Sequence, residues 1–283
     1  MLFRSSSNPL AKHFRQPALY IKLPSSGRFW PDGSIEIPLN GEIPVYPMTA
    51  KDEIMIRTPD ALLNGAGTVS VIQSCCPNIL DAWNMPSVDL DTLLIAIRIA
   101  SYGPNMDVTS KCPKCDHTNE VTVPLQNCLD TIRMPDFDTG IVVDELKFKL
   151  KPQSYFSNNK TAQINFEQQQ SIRAISDPDI PDEQRQAVFN EHLEKLVNLN
   201  IDSFTETTQS ITMSDGTRVD NPEYIREFYV NADNRVFKAL QAHISELSQD
   251  LQIKPFKLQC EECENEFDFT LTFDWANFFD NGF

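Results

Sequence analysis

The spacing of apolar and polar positions changes period several times along this 283-residue chain. Before residue 48, Pro9, Pro17, Pro24, Pro31, Pro38, Pro44 and Pro47 fall too close together for an α-helix of ordinary length, because each ring removes an amide donor and crowds the preceding turn. Alternation over Ala18 to Leu23 predicts a strand, Pro31-Asp32-Gly33 a turn, and Ile35-Glu36-Ile37 a second strand. From Thr49 the period becomes helical. Thr49 and Asp52 have the spacing of a capping box, in which a hydroxyl and a carboxylate three residues apart satisfy each other's free amides. Thr58-Pro59 predicts the start of another helix and Gly65 its end; a third helix is expected from Val69 to Cys76. Leu90, Leu93, Leu94, Ile97 and Ile99 mark a buried helix that stops at Tyr102-Gly103-Pro104.

Beyond Gly103 a cysteine knuckle precedes a strand pattern over Glu120 to Val123, and Glu145 to Leu150 alternates as a half-solvated strand. Residues 158–200 read as a helical pair interrupted at Asp177-Pro178 and Pro181. A hairpin is expected around Ser210 to Met213 with its turn at Ser214 to Thr217, followed by helices near 222–232 and 234–250, the second capped by Asp233.

The strongest chemical signal is a pair of knuckles, Cys112-Pro113-Lys114-Cys115 and Cys260-Glu261-Glu262-Cys263, with 144 residues (116 to 259) between them. A two-residue gap lets both thiolates turn onto one ion, and two such knuckles supply the four-sulfur tetrahedron that structural Zn2+ prefers. Each is followed by a strand pattern, Glu120 to Val123 and Phe267 to Phe273, as in a zinc ribbon. The expected ligands are therefore Cys112, Cys115, Cys260 and Cys263, and the long gap makes the intervening residues an insertion whose ends the metal clips together. His117, two residues after Cys115, is a candidate to replace one thiolate or to hydrogen-bond behind it. A redox pair at Cys112/Cys115 is the alternative reading, although this motif follows a helix exit and not the strand-to-helix turn of a thioredoxin-like site.

The fold class is thus α+β: a Pro-rich extended N-terminal arm (1–48), a helical domain (49–107), a split zinc ribbon in two halves (108–125 and 251–283) and a mainly helical insertion (126–250).

Seven cysteines in a long chain without a secretory signal pattern point to reduced thiols. Cys75-Cys76 and Cys128 accordingly read as small buried hydrophobes. His13, His192 and His243 are scattered, with no HExxH spacing, and the glycines of 27–33 and 65–68 lack the order that cradles phosphate. Asp89 and Asp91 read as charge at a helix N-terminus rather than as an acid and a base. No catalytic constellation emerges.

Net charge is −16, which disfavours direct nucleic-acid binding because affinity for a phosphate backbone comes from Lys and Arg replacing counterions. Residues 1–48 are +2 (five basic, three acidic), leaving −18 elsewhere, so the arm is expected to leave its own core and clasp a neighbour, including another copy of the chain. The aromatic run Phe267, Phe269, Phe273, Trp275, Phe278 and Phe279 offers either core packing or a partner anchor. No apolar run is long enough for membrane insertion.

Three stretches carry a family resemblance: Asn8-Pro9-Leu10-Ala11-Lys12-His13-Phe14-Arg15-Gln16-Pro17; Val45 to Glu53, running on to Gln73-Ser74-Cys75-Cys76-Pro77-Asn78; and Leu94 to Gly103. They resemble the baseplate hub proteins of T-even-like, contractile-tailed bacteriophages, over about residues 1–125 and again in the final ribbon. The resemblance implies a non-enzymatic virion protein of the tail baseplate or a factor in its assembly, made in the bacterial host cytoplasm, whose partners are other baseplate and tail proteins. A zinc-ribbon nucleic-acid-binding protein is the rival class, and a CxxC thiol oxidoreductase the third.

Overall fold

The structure, a computed structural model, describes residues 8–58, 65–175, 182–249, 251, 253–271 and 278–279. The helix expected from Thr58-Pro59, the breaks at Asp177-Pro178 and Pro181, and the aromatics Phe273 and Trp275 fall outside these residues.

The proline spacing has its predicted consequence: before Thr49 the described backbone holds one short 3-10 turn, Pro9–His13, and two three-residue strands. Strand β1 (Leu19–Ile21) pairs antiparallel with β2 (Ile43–Val45), Leu19 opposite Val45 and Ile21 opposite Ile43. The second strand expected at Ile35–Ile37 is reduced to a single bridge between Ile35 and Ile79, and β2 forms later, with Pro44 tolerated because a two-stranded sheet leaves it an outer edge.

Helix α1 (Ala50–Ile56) begins with the expected capping box of Thr49 and Asp52. Helix α2 (Ala66–Cys75) starts earlier than its apolar pattern, and Gly65, expected to stop a helix, is instead its N-cap at φ 74°, a left-handed conformation suited to glycine. Helix α3 (Leu90–Tyr102) is buried from Thr92 to Arg98. Two antiparallel strands follow, β3 (Asn105–Lys111) and β4 (Thr118–Pro124), then α4 (Leu125–Thr131).

The middle of the chain builds a second layer. Strands β5 (Ile141–Val143), β6 (Leu146–Leu150), β7 (Thr208–Thr212) and β8 (Arg218–Val219) form an antiparallel sheet in that order. The long helices α5 (Tyr155–Ile175) and α6 (Asp182–Thr207) make the excursion from β6 to β7. Helices α7 (Pro222–Asn231) and α8 (Asn234–Gln249) come next, Asp233 accepting from the Arg235 amide at 2.6 Å. A last hairpin joins β9 (Phe256–Gln259) to β10 (Glu266–Phe269).

Apolar side chains collect into two clusters. One runs from Ile21 to Ile132 and is joined by Tyr155, Ile253, Leu271, Phe278 and Phe279. The other spans Phe137 to Leu247 with Val88, and Leu251 packs against both.

The expectation that residues 1–48 leave their own core is corrected. Ile21, Leu23, Trp30, Ile43 and Val45 are buried in the first cluster, and two polar networks fasten the segment. Arg15 donates to the Pro47 and Ser74 carbonyls, each at 2.7 Å, to Ser74 Oγ at 2.9 Å and to Asp52 at 3.4 Å. Asp52, 3% exposed, also accepts from the Thr49 amide at 2.8 Å and from Ser74 Oγ at 3.0 Å. The Met48 amide reaches Ser101 Oγ on α3 at 2.9 Å. Positive charge at Arg15 is therefore spent inside the chain, because a buried carboxylate needs a partner more than a distant surface does.

Asp89 is fully buried at the head of α3 and does more than complement a helix terminus. Its carboxylate accepts from the Ser25 amide at 2.9 Å, Ser25 Oγ at 2.5 Å and Trp30 Nε1 at 2.7 Å. Burial pushes its pKa up to about 6 against the pull of these donors. Because the folded value exceeds the ordinary carboxylate value of about 3.9, the stability linked to this group is fully present below about pH 4 and is lost as pH rises through about 6. Asp89→Ala leaves three buried donors unmatched and should cost about 3 kcal/mol of unfolding free energy at pH 7, measured by urea titration. Burial raises Asp91 to about 6 as well, so the decline in stability between about pH 4 and 6 should be smaller in an Asp89→Asn profile than in wild type and should not vanish.

Candidate metal centre

Each cysteine pair sits at the tip of a hairpin: β3 leads into Cys112 and β4 leaves after it, while β9 leads into Cys260 and β10 leaves after it. The leading strands, missing from the sequence reading, complete both ribbons. The two tips are built alike. The Cys112 amide donates to the His117 carbonyl at 2.9 Å and the Asp116 amide to the Cys112 carbonyl at 3.0 Å. In the second tip the Cys260 amide meets the Asn265 carbonyl at 2.9 Å and the Glu264 amide the Cys260 carbonyl at 3.0 Å. Asp116 at φ 57° and Glu264 at φ 55° occupy matching left-handed positions, the turn that lets the second thiol of each pair fold back.

The fold brings the two tips together. Cys112 Sγ lies 3.7 Å from Cys263 Sγ, Cys115 Sγ lies 3.6 Å from Cys260 Sγ, and all four sulfurs fall within 4.8 Å of one another. A tetrahedron with metal–sulfur bonds of about 2.3 Å has sulfur–sulfur edges of about 3.8 Å, so the donor set and its spacing fit a four-thiolate ion. A disulfide needs sulfurs at about 2.05 Å, and all four are free thiols. Cys112 and Cys260 are buried, Cys263 is half-buried and Cys115 is exposed, so the cluster is seated on its inner side and open on its outer one.

The close sulfurs bias one another's ionisation in opposite directions. Burial opposes ionisation of Cys260, but amides of Cys263 and Glu262 and the neighbouring thiols draw its pKa down to about 6. Cys112 is lowered by the Lys114 and Cys115 amides, also against burial. Cys115 is raised to about 12, the thiol bonds to its neighbours outweighing the His117 amide that favours its thiolate.

His117 contributes its backbone carbonyl, not its ring, to the first knuckle. The residue that sequence reasoning missed is Asn119. It is 3% exposed, donates to the Ser110 and His117 carbonyls at 3.3 Å, and accepts from the Glu261 amide at 2.9 Å. One side chain thus ties the first tip to the second. The available signal was an asparagine inside a strand, where that residue is disfavoured unless its amide has work to do.

The other candidates lie elsewhere. Cys75, Cys76 and Cys128 are buried in the first cluster, and desolvation pushes Cys75 up to about 12 and Cys128 to about 11, which makes them poor nucleophiles. His13 is exposed, His243 faces Glu246 at 3.7 Å, and the His192 side chain lies outside the described residues. Of the terminal aromatics, Phe278 and Phe279 are core residues: their rings meet edge to face, and Arg98 donates to the Phe278 carbonyl while lying over its ring. They are not available as a partner anchor.

A family model described as T4 bacteriophage base plate protein matches residues 21–280, a span that holds both knuckles and nearly all of both core clusters. The chain belongs to this family. No curated protein and no solved structure matches it. Membership gives a structural role in the phage baseplate, a place in the virion tail and contacts with other baseplate proteins. No described helix is long and apolar enough to cross a membrane. Of the three stretches that carried the resemblance, Asn8 to Pro17 lies before the matched residues, yet Arg15 joins it to Pro47 and Ser74 in the second, and Met48 joins the second to Ser101 in the third.

If Asn119 registers the two tips, Asn119→Ala should weaken metal retention by about tenfold, the effect expected on losing a hydrogen-bonding support behind a ligand. Competition against a chromogenic chelator measures it. Unchanged retention would assign Asn119 to hairpin packing alone.

Proposed function

We propose that this protein is a structural component, or an assembly factor, of the tail baseplate hub, joining neighbouring baseplate proteins so that tube and sheath growth can begin. The observation that carries the reading is the family match over residues 21–280, together with the resemblance of residues 1–125 to hub proteins. It acts by holding surfaces in register and turns over no substrate.

One structural Zn2+ on Cys112, Cys115, Cys260 and Cys263 supports that role. Bound there, the ion supplies crosslinking and not Lewis-acid chemistry, because four thiolates leave no open position for water. What this chain does is hold the sulfurs: β3–β4 and β9–β10 present them, paired amide-to-carbonyl bonds fold each tip, and Asn119 bridges the two. Residues 126–250 form a unit inserted between the halves of the ribbon, a reading supported by the second hydrophobic cluster, which draws mainly on Phe137 to Leu247, while Cys128, Ile132 and Tyr155 tie the unit to the first. The nucleic-acid reading is weakened by Glu261, Glu262, Glu264, Glu266 and Asp268 around the second knuckle, which repel phosphate. The thiol-redox reading is weakened by a CxxC at a hairpin tip, away from the helix N-terminus that activates such a thiolate.

Two measurements test the proposal. Protein purified without chelator should contain close to one equivalent of zinc per chain, and chelation should lower its thermal midpoint; less than half an equivalent refutes the metal assignment. A phage lacking the gene should form no normal contractile tails and should be rescued by wild type but not by the Cys112→Ser/Cys260→Ser pair. Normal infectious tails without the protein refute the baseplate role.

A further inference from the structure

Helix α6 leaves an apolar stripe that stands exposed among the described residues. Phe189, Leu193 and Val197 recur at every fourth position and so share one face, and they are 57, 51 and 50% exposed. One turn further on, Ile201 turns into the second cluster, while Val230 of α7, 54% exposed, closes the opposite wall. Leu193, Val197, Ile201 and Val230 thereby line a shallow open groove of about 520 Å³ between the two helices.

The charge around this groove selects its occupant. Glu194 lines it, and Glu227 stands one turn before Val230. Two cations near it among the described residues are already engaged, Lys195 with Glu191 at 2.8 Å and Arg226 with Asp202 at 3.1 Å. Among the described residues near the groove on these two helices, Glu191, Glu194, Asp202 and Glu227 outnumber Lys195 and Arg226, in a chain of net charge −16. A second copy would set the same acidic excess against itself. A cationic helix neutralises it while its apolar face fills the groove.

We infer that the α6/α7 groove docks an amphipathic helix of another baseplate protein, one with apolar residues at i, i+4 and i+7 and Lys or Arg on its flanks. The inference rests on the structural role above in requiring a partner, but it concerns one surface and is read on the isolated protein, so its failure leaves the tail-assembly result standing. The area offered is smaller than a standard interface, so this contact alone is weak and adds to others in the assembly.

The test uses the full-length protein and two synthetic helices of about 18 residues, one of leucine and lysine and one with glutamate in place of lysine, followed by fluorescence anisotropy. The lysine peptide should bind and the glutamate peptide should not. Leu193→Glu/Val197→Glu should weaken lysine-peptide binding by about tenfold or more, and Val230→Glu on the other wall should do the same. The half-exposed positions tolerate these changes, which circular dichroism verifies. The substitutions add negative charge, so if they leave binding unchanged or strengthen it, the attraction is non-specific and the inference fails. Equal binding of the glutamate peptide also overturns it. So does a concentration-dependent dimer, seen by sedimentation, that the double variant abolishes, since the occupant is then a second copy.

Discussion

The architecture depends on two hairpin tips meeting across 144 residues of intervening chain. Closing a flexible loop of that length costs about 4 kcal/mol in chain entropy before any contact repays it, so the ends need specific interactions where they join. They have three kinds. The four sulfurs converge, Asn119 crosses from one tip to the other, and the terminal Phe278 and Phe279 pack with Arg98 against the helix that precedes the first hairpin. The first core is consequently assembled from both ends of the sequence with Cys128, Ile132 and Tyr155 from between them, while most of the intervening apolar residues gather around their own sheet and helices.

The N-terminal segment follows the same economy. Its prolines forbid an ordinary helix, so its backbone is satisfied in part by the β1–β2 pair and short turns, and side chains fasten it to the body: Arg15 donates to the carbonyls of Pro47 and Ser74, and Ser25 and Trp30 converge on Asp89. Burying carboxylates such as Asp52 and Asp89 is tolerable only because each receives several donors. The result is a segment that is extended in conformation yet part of the core. A baseplate protein gains from this, since surfaces fixed to a rigid body are presented in a constant relation to one another.

Exposed apolar groups stand outside the two cores. The long α5 and α6 helices carry the half-exposed Phe156, Phe166, Phe189, Leu193 and Val197, and the N-terminal segment carries the exposed Leu10, Phe14, Tyr20 and Leu39.

The sequence by itself determined the α+β class, the helix-free start, the capping box at Thr49, the buried helix ending at Gly103 and the identity of the four clustered cysteines. Each follows from local chemistry: proline geometry, a side chain reaching an amide three residues on, a helical apolar period, a two-residue gap between thiols. Strands β3 and β9 were not legible, because a strand beside a hairpin tip takes its stability from its partner and here alternates only weakly in burial. Whether Phe278 and Phe279 face a neighbour or the chain's own core was likewise undecided, since an aromatic side chain looks the same in either setting. Tertiary structure alone decided that, as it decided that Asp89 is an anchor and that Asn119 spans the knuckles. Those roles depend on residues 59 to 142 positions away, and no local pattern encodes a contact at that separation.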